Sequence, residues 1–278
     1  MNDLYGFDAF APAEIASRIR TSGEAKAKLA LVPLVMLGVL AGAFIGFGTM
    51  LFVIVRADAS LGFAASRLVA GVVFSLGLLM VVVAGAELFT GNNLLVLAWA
   101  EGRVSAAQVV RNWVIVCIAN LAGAVGLAVL VYLSGHTDMG DGIIGRSVTG
   151  IALAKQQLPW YEAFVRGMLC NVLVCMAVWM AMAGRSVVDK AVAVVFPVTA
   201  FVAAGFEHGI ANMYLLPLAM LVQSGADPGA AAGTAVTLSG MASNLLFVTA
   251  GNLVGGSVLV GLTYQLIYGG KALLPRTA

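Results

Sequence analysis

Charge is scarce in this chain. Only 10% of its 278 residues are charged while 61% are hydrophobic, too little polar surface to wrap a soluble domain of this length. Histidine occurs twice and cysteine three times, with no metal-ligand spacing among them, which excludes a zinc site. The adjacent pair Glu207-His208 does not make the His-Glu-x-x-His pattern of a metalloprotease. No Gly-x-x-x-x-Gly-Lys loop is present, so the chain drives nothing by ATP hydrolysis. The net charge of +2 comes from basic residues dispersed over the loops, and nucleic acid is excluded as a partner. Cys117, Cys170 and Cys175 fall inside apolar runs and read as small buried hydrophobes. No enzyme signature and no cofactor motif emerges. Residues 1–28 lack a continuous apolar core beside a small-residue cleavage site and are not expected to be a secretory signal.

What the chain has is long apolar runs. About 20 apolar residues cross the hydrocarbon core of a bilayer. Six segments qualify: 30–55, 63–100, 107–134, 161–183, 188–223 and 243–269. The second and fifth are too long for one straight crossing, as expected of two half-spans joined by a non-helical turn. Three spans per half is an odd number, so the second half enters the membrane from the opposite side. The expected fold is an all-α polytopic membrane protein with an inverted 3+3 repeat. Its parts are a cytoplasmic amphipathic segment over 1–29, a six-span channel domain over 30–270 and a cytoplasmic tail over 271–278. Pro12 and Glu14 mark a helix start, which would lay Phe7, Phe10, Ile15 and Ile19 on the membrane surface beside Arg18 and Arg20. With the N-terminus inside, ten of the 15 basic residues are cytoplasmic: Arg18, Arg20, Lys26, Lys28, Arg103, Arg111, Arg185, Lys190, Lys271 and Arg276. Arg56, Arg67, Arg146, Lys155 and Arg166 are then external, and both termini are cytoplasmic. Ridges at Gly38, Gly42 and Gly46, and at Gly251 and Gly255, let helices approach closely, within one subunit or between subunits.

Ionisable residues occur in the middle of two of these runs. Ala204-Gly205-Phe206-Glu207-His208-Gly209-Ile210-Ala211-Asn212 places a carboxylate and an imidazole near the bilayer centre, costly unless they face a cavity or a partner. Ala84-Gly85-Ala86-Glu87-Leu88-Phe89-Thr90-Gly91-Asn92 repeats the pattern Ala-Gly-x-Glu-x-x-x-x-Asn in the other half. Weaker echoes pair Asn120-Leu-Ala-Gly with Asn252-Leu-Val-Gly, and Gly38–Gly48 with Gly167–Cys175. Two interrupted spans in corresponding positions point to a site at the bilayer midplane. Gly85, Gly91, Gly205 and Gly209 weaken the helix at each break. Asn92 and Asn212 close each motif. Glu87 and Glu207 are expected to hold the freed backbone N–H groups, because a carboxylate in the path would repel an anion. His208, an imidazole with an unperturbed pKa of about 6.5, can exchange a proton at modest cost. Thr90 stands where the first half-span restarts, where free N–H groups favour anions. Asn171 must satisfy its amide inside the fourth span, against another helix or the passage. Lys155 reads equally as a vestibule charge or an ordinary interfacial lysine. Phe74, Leu78 and Phe201 read as core or as a hydrophobic gate.

Glu87-Leu-Phe-Thr-Gly, Leu169-Cys-Asn-Val-Leu-Val-Cys-Met-Ala-Val-Trp-Met and Gly205-Phe-Glu-His-Gly-Ile-Ala-Asn-Met together resemble the formate/nitrite transporter family over essentially the whole chain. The resemblance implies an aquaporin-like fold, a homopentamer with an anion pore in each protomer, and an inner-membrane location. The Asn-Pro-Ala turns of aquaporins themselves are absent. By the same resemblance His208 is the central pore histidine, Thr90 the threonine of the second span's loop, Asn171 a pore asparagine and Lys155 an external-side lysine. Phe74, Leu78 and Phe201 match one hydrophobic constriction, and Leu88, Phe89 and Val174 the other. Gly209 departs from a common serine. Gly184-Arg-Ser-Val-Val-Asp-Lys and Gly261-Leu-Thr-Tyr-x-x-Ile-Tyr are most similar to the formate channel branch. The expected activity is histidine-assisted, proton-coupled passage of formate, with nitrite, hydrosulfide, acetate and lactate as alternative substrates. A membrane scaffold without a passage is the alternative class.

Overall fold

The computed structural model describes residues 9–225 and 235–269. The expectations for Phe7, Lys271, Arg276 and the tail over 271–278 lie outside the described residues. Among those described, every regular element is helical.

Helix α1 (Pro12–Ala27) opens with Glu14 accepting the Ala11 N–H at 2.8 Å. The first span is α2 (Leu31–Ala57). The second, α3 (Phe63–Met80), continues as a π-helical stretch over Val81–Gly85. There it breaks, and the chain restarts as α4 (Phe89–Asn92), a 3-10 turn (Asn93–Leu95) and α5 (Val96–Ala100). A capping box of Ser105 and Gln108 starts α6 (Ala106–Leu133), the third span. Helix α7 (Met139–Gln156) follows, kinked where Gly140, Asp141 and Gly142 leave helical geometry. The fourth span is α8 (Trp160–Ala181). A second capping box, Ser186 with Asp189, starts α9 (Val187–Ala204), whose continuation beyond a break is α10 (Gly209–Gly225). The last span is α11 (Leu238–Val254), which runs through a π-helical stretch (Gly255–Leu262) into α12 (Thr263–Tyr268).

Six of these helices are long and apolar enough to cross a membrane, and the second and fifth spans are the interrupted ones. The two halves have the same packing: α2 lies against α6 and α3, and α8 lies against α11 and α9. The glycine ridges act within the protomer. A Cβ on Gly42 would strike the backbone of α6 at Asn120, and one on Gly251 or Gly255 would strike the backbone of α8 at Phe164 or Met168. Only hydrogen at those positions lets the helices come this close.

Two features depart from expectation. Ile15 and Ile19 of α1 are buried against Leu94, Val96 and Leu97 of the returning segment, with Phe10 packed at the edge of the same cluster, rather than lying on a membrane surface. The short segment after the first break leaves apolar side chains uncovered at that end, and burying each against α1 is worth about 1.5–3 kcal/mol. Helix α7 is the second. It occupies the stretch between the expected third and fourth spans, begins in a glycine-rich run, and its buried face, Ile144, Val148 and Ala152, packs into the main core. Lys26 stands at the end of α1 and Lys155 at the end of α7. Each half of the repeat is thus an amphipathic helix followed by three spans.

Candidate functional site

Both breaks turn on a glycine in the left-handed region, Gly85 at φ 83° and Gly205 at φ 75°. Any other residue there would cost about 1–2 kcal/mol. The three residues that follow lie outside any helix, and their polar groups are accounted for identically in the two halves. The Glu87 N–H donates to Leu37 O and the Glu207 N–H to Arg166 O, both at 3.2 Å. Asn120 accepts the Phe89 N–H at 2.9 Å and donates to Gly38 O and Glu87 O. Asn252 accepts the Gly209 N–H at 2.9 Å and donates to Gly167 O and Glu207 O. The asparagines, not the glutamates, therefore tie down the exposed backbone. A neutral amide has both a donor and an acceptor to offer at a break that exposes both, whereas a carboxylate can only accept.

The carboxylates bind lysines instead. Lys26 Nζ is 2.8 Å from Glu87 Oε1 and 3.0 Å from Asn92 Oδ1. Lys155 Nζ is 2.8 Å from both oxygens of Glu207. Asn92 and Asn212 each donate to their glutamate at 2.7 Å and to a further asparagine, Asn112 and Asn244. Asn112 and Asn244 complete the loop by donating to the backbone carbonyls of Lys26 and Lys155. Both glutamates are buried, so these ion pairs neutralise charge that the apolar surroundings could not hold singly.

Between the two breaks, Thr90 Oγ1 and His208 Nε2 are 3.2 Å apart. The Ala211 N–H donates to His208 Nδ1 at 3.2 Å. A backbone N–H only donates, so Nδ1 carries the lone pair, Nε2 carries the hydrogen and the Thr90 oxygen accepts it. The Thr90 hydroxyl hydrogen is thereby left for another acceptor. Phe201 stacks on the imidazole at 5.9 Å between centroids, and Phe74 stands edge-on to both rings, 6.3 Å from the imidazole and 5.7 Å from Phe201.

A cavity of about 440 Å³ opens on the Lys155 side of this junction, with Phe74, Phe201, His208, Glu207 and Lys155 in its wall. Another of about 320 Å³ opens on the Lys26 side, lined by Leu78, Gly85, Glu87, Leu88, Gly91, Asn92 and Lys26. Leu78 thus faces the opposite cavity from Phe74, one turn away on α3, and shares that cavity's wall with Leu88. Phe89, Val174 and Asn171 line neither cavity. Asn171 lies behind the first break, where its amide nitrogen donates among Thr90 O, Asn93 Oδ1 and Asn252 O at 2.6–3.2 Å. Gly209 accepts the tight approach of Asn252 and Thr249.

The formate/nitrite transporter family profile matches residues 13–266. The chain belongs to the formate/nitrite transporter family. It is 39% identical to "Formate channel FocA" of Escherichia coli (strain K12) over 94% of this chain and 95% of the relative. It is 37% identical to "Formate channel FocA" of Haemophilus influenzae over 82% of this chain and 84% of that one. A solved structure described as "Pentameric formate channel with formate bound" superposes with a TM-score of 0.79 at 36% identity, covering 86% of this chain and 98% of the other.

Within this transporter fold, the sequence motifs locate His208, Thr90 and the two glutamates but not Lys26, Asn112 or Asn244 as their partners. A signal exists in the spacing. Asn112 and Asn244 each stand eight residues before Asn120 and Asn252, and Lys26 and Lys155 each stand twelve before Gly38 and Gly167. Arg56 and Arg67, which line the Lys155-side cavity, read from the sequence only as loop charges.

Proposed function

We propose that this chain is a channel for small monovalent anions in equilibrium with their weak acids, formate foremost, with one pore per protomer of a homopentamer in the inner membrane. Both termini are cytoplasmic in this reading, which puts Lys26 inside and Lys155 outside. The relatives named as formate channels support the substrate, and the pentameric relative supports the assembly. The observation that carries the reading is the Thr90–His208 pair, set between two cavities and closed in by two phenyl rings.

The physical problem is the apolar path at His208, where Phe74 and Phe201 close on the imidazole and Leu78 and Leu88 stand in the wall of the cavity beyond. A bare monovalent ion in a medium of low dielectric constant carries a penalty that can reach tens of kcal/mol. A hydrogen bond to a charged group returns only about 1.5–3 kcal/mol. Protonating the carboxylate removes most of the penalty. The Thr90 hydroxyl, its oxygen already accepting from His208, donates to the carboxylate and orients it. His208 supplies the proton, and its bonding sets the order of events. Giving up the Nε2 hydrogen from a neutral ring would leave an imidazolate, so the ring first turns from the Ala211 N–H and takes a second proton at Nδ1. Nε2 then gives its proton to the anion and the acid passes the leucines. The ring, left with its hydrogen on Nδ1, takes a proton from water at Nε2 and releases the one on Nδ1 to water before it again accepts the Ala211 N–H. The Ala211 bond also supports a second reading, in which His208 stays neutral and only hydrogen-bonds a partly hydrated anion.

Reconstitution in liposomes with formate, nitrite, acetate, lactate and hydrosulfide in competition tests the substrate. Formate is expected to enter fastest and to be displaced by the others in order of size. Faster entry of nitrite or hydrosulfide would reassign the substrate, and no flux of any of them under any pH gradient would leave only a scaffold.

A further inference from the structure

Lys155 does not supply the free positive charge of the cavity it lines, because both of its short contacts go to the Glu207 carboxylate. Arg166 lines the same cavity and is held by Glu162 at 2.6 Å. Two guanidiniums in that wall have no carboxylate partner among the described residues, Arg56 in the last turn of α2 and Arg67 in the first turns of α3. Arg56 donates to the buried Ser66 hydroxyl at 2.9 Å. Arg67 donates from Nη1 to Ala203 O at 3.2 Å and lies over the Phe63 ring at 5.1 Å. Its Nε is buried and has no partner among the described residues. The Nε and Nη2 edge of the guanidinium is the one that offers a carboxylate two parallel N–H bonds, and neither nitrogen has another acceptor. Arg67 stands seven residues before Phe74 on α3, a rise of roughly 10 Å, so the guanidiniums sit at the mouth of the cavity and His208 at its floor.

We infer that Arg56 and Arg67 form a carboxylate-holding station at the mouth of the Lys155-side cavity, which takes a small anion such as formate out of solution before it reaches Thr90 and His208. The inference rests on the transport reading for its ligand. Arg67 presents the Nε/Nη2 edge to the carboxylate and Arg56 adds the second charge. The anion exchanges water for N–H groups while still outside the phenyl constriction, where the field of two guanidiniums is only partly screened. Neutralisation at His208 comes after this step and is independent of it.

The test is formate binding by saturation-transfer NMR on the solubilised full-length protein at low salt, beside sided flux in vesicles sorted by orientation. The variants are Arg56→Gln, Arg67→Gln and Arg67→Lys. Arg67 also bonds a carbonyl at the end of α9, so Arg56, whose one partner among the described residues is Ser66, gives the variant with the smaller structural consequence. Either glutamine variant is expected to weaken binding roughly three- to tenfold. The half-saturating formate concentration should rise by the same factor for entry from the Lys155 face and stay unchanged for entry from the Lys26 face, with maximal flux held within about twofold. Salt near 0.15 M should shrink the difference, and Arg67→Lys should restore its salt dependence but not the full affinity. Unchanged binding in both glutamine variants, or an equal loss of maximal flux from both faces, would overturn the station. Arginine-dependent binding by a wild-type protein that passes no formate would uphold the station and remove the transport reading instead.

Discussion

Lys155 is the residue whose meaning the structure changes most. As a vestibule charge, it should matter chiefly at low salt. Paired at 2.8 Å with a glutamate that is only 5% exposed, it matters at every salt concentration, because its loss leaves a carboxylate buried and uncompensated. Breaking one side of such a pair costs about 3–5 kcal/mol, while removing both charges together can be nearly neutral. Lys155→Gln is therefore expected to lower the thermal stability of the detergent-solubilised protein markedly, and the double variant with Glu207→Gln to recover most of it. A double variant as unstable as the single one would show that the ion pair is not what the lysine contributes. Lys26 and Glu87 should behave the same way in the other half, with a smaller effect, since Lys26 is more exposed.

At the scale of elements, each helix break is held by one asparagine. Asn120 and Asn252 are both fully buried and each satisfies one N–H and two carbonyls. Substitution by leucine keeps the approximate volume and takes this partner from the Phe89 or Gly209 N–H and from the Glu87 or Glu207 carbonyl, at about 1–3 kcal/mol for each that water cannot reach, while Gly38 O and Gly167 O keep their bonds within α2 and α8. Asn120→Leu and Asn252→Leu should lower the unfolding temperature by similar amounts. A large loss at one position and none at the other would contradict the equivalence of the two breaks. The breaks themselves are legible in the sequence because Glu87 and Glu207 stand in apolar runs where no unpaired charge is tolerated, and Asn120 and Asn252 stand in matching tetrapeptides. The partners are not legible in the same way. Lys26 meets Glu87 across 61 residues, and an N-terminal lysine beside other basic residues already has an explanation as an inside charge. Helix α7 is hidden by Gly140 and Gly142 in left-handed geometry at its start. Leu78 cannot be separated from Phe74 without knowing which side of the break each one faces.

At the scale of the molecule, apolar side chains stay uncovered on the outer surface. Val188, Val192 and Phe196 on α9 are exposed, as are Val69, Val72 and Leu76 on α3. A belt of this kind belongs to lipid or to neighbouring protomers. Native mass spectrometry from mild detergent should give a species of five protomers, and a monomer at all detergent strengths would remove the pentamer from the account. In the proposed mechanism the anion crosses as a neutral acid with a proton passed at His208. Formate uptake and internal pH recorded together in the same vesicles, above the rate of protein-free controls, test it most directly. Wild-type protein should bring in formate and protons one for one, and correctly assembled His208→Asn should lose the proton-coupled uptake and keep at most a pH-insensitive remainder. Unchanged, pH-dependent formate and proton entry through His208→Asn would contradict it.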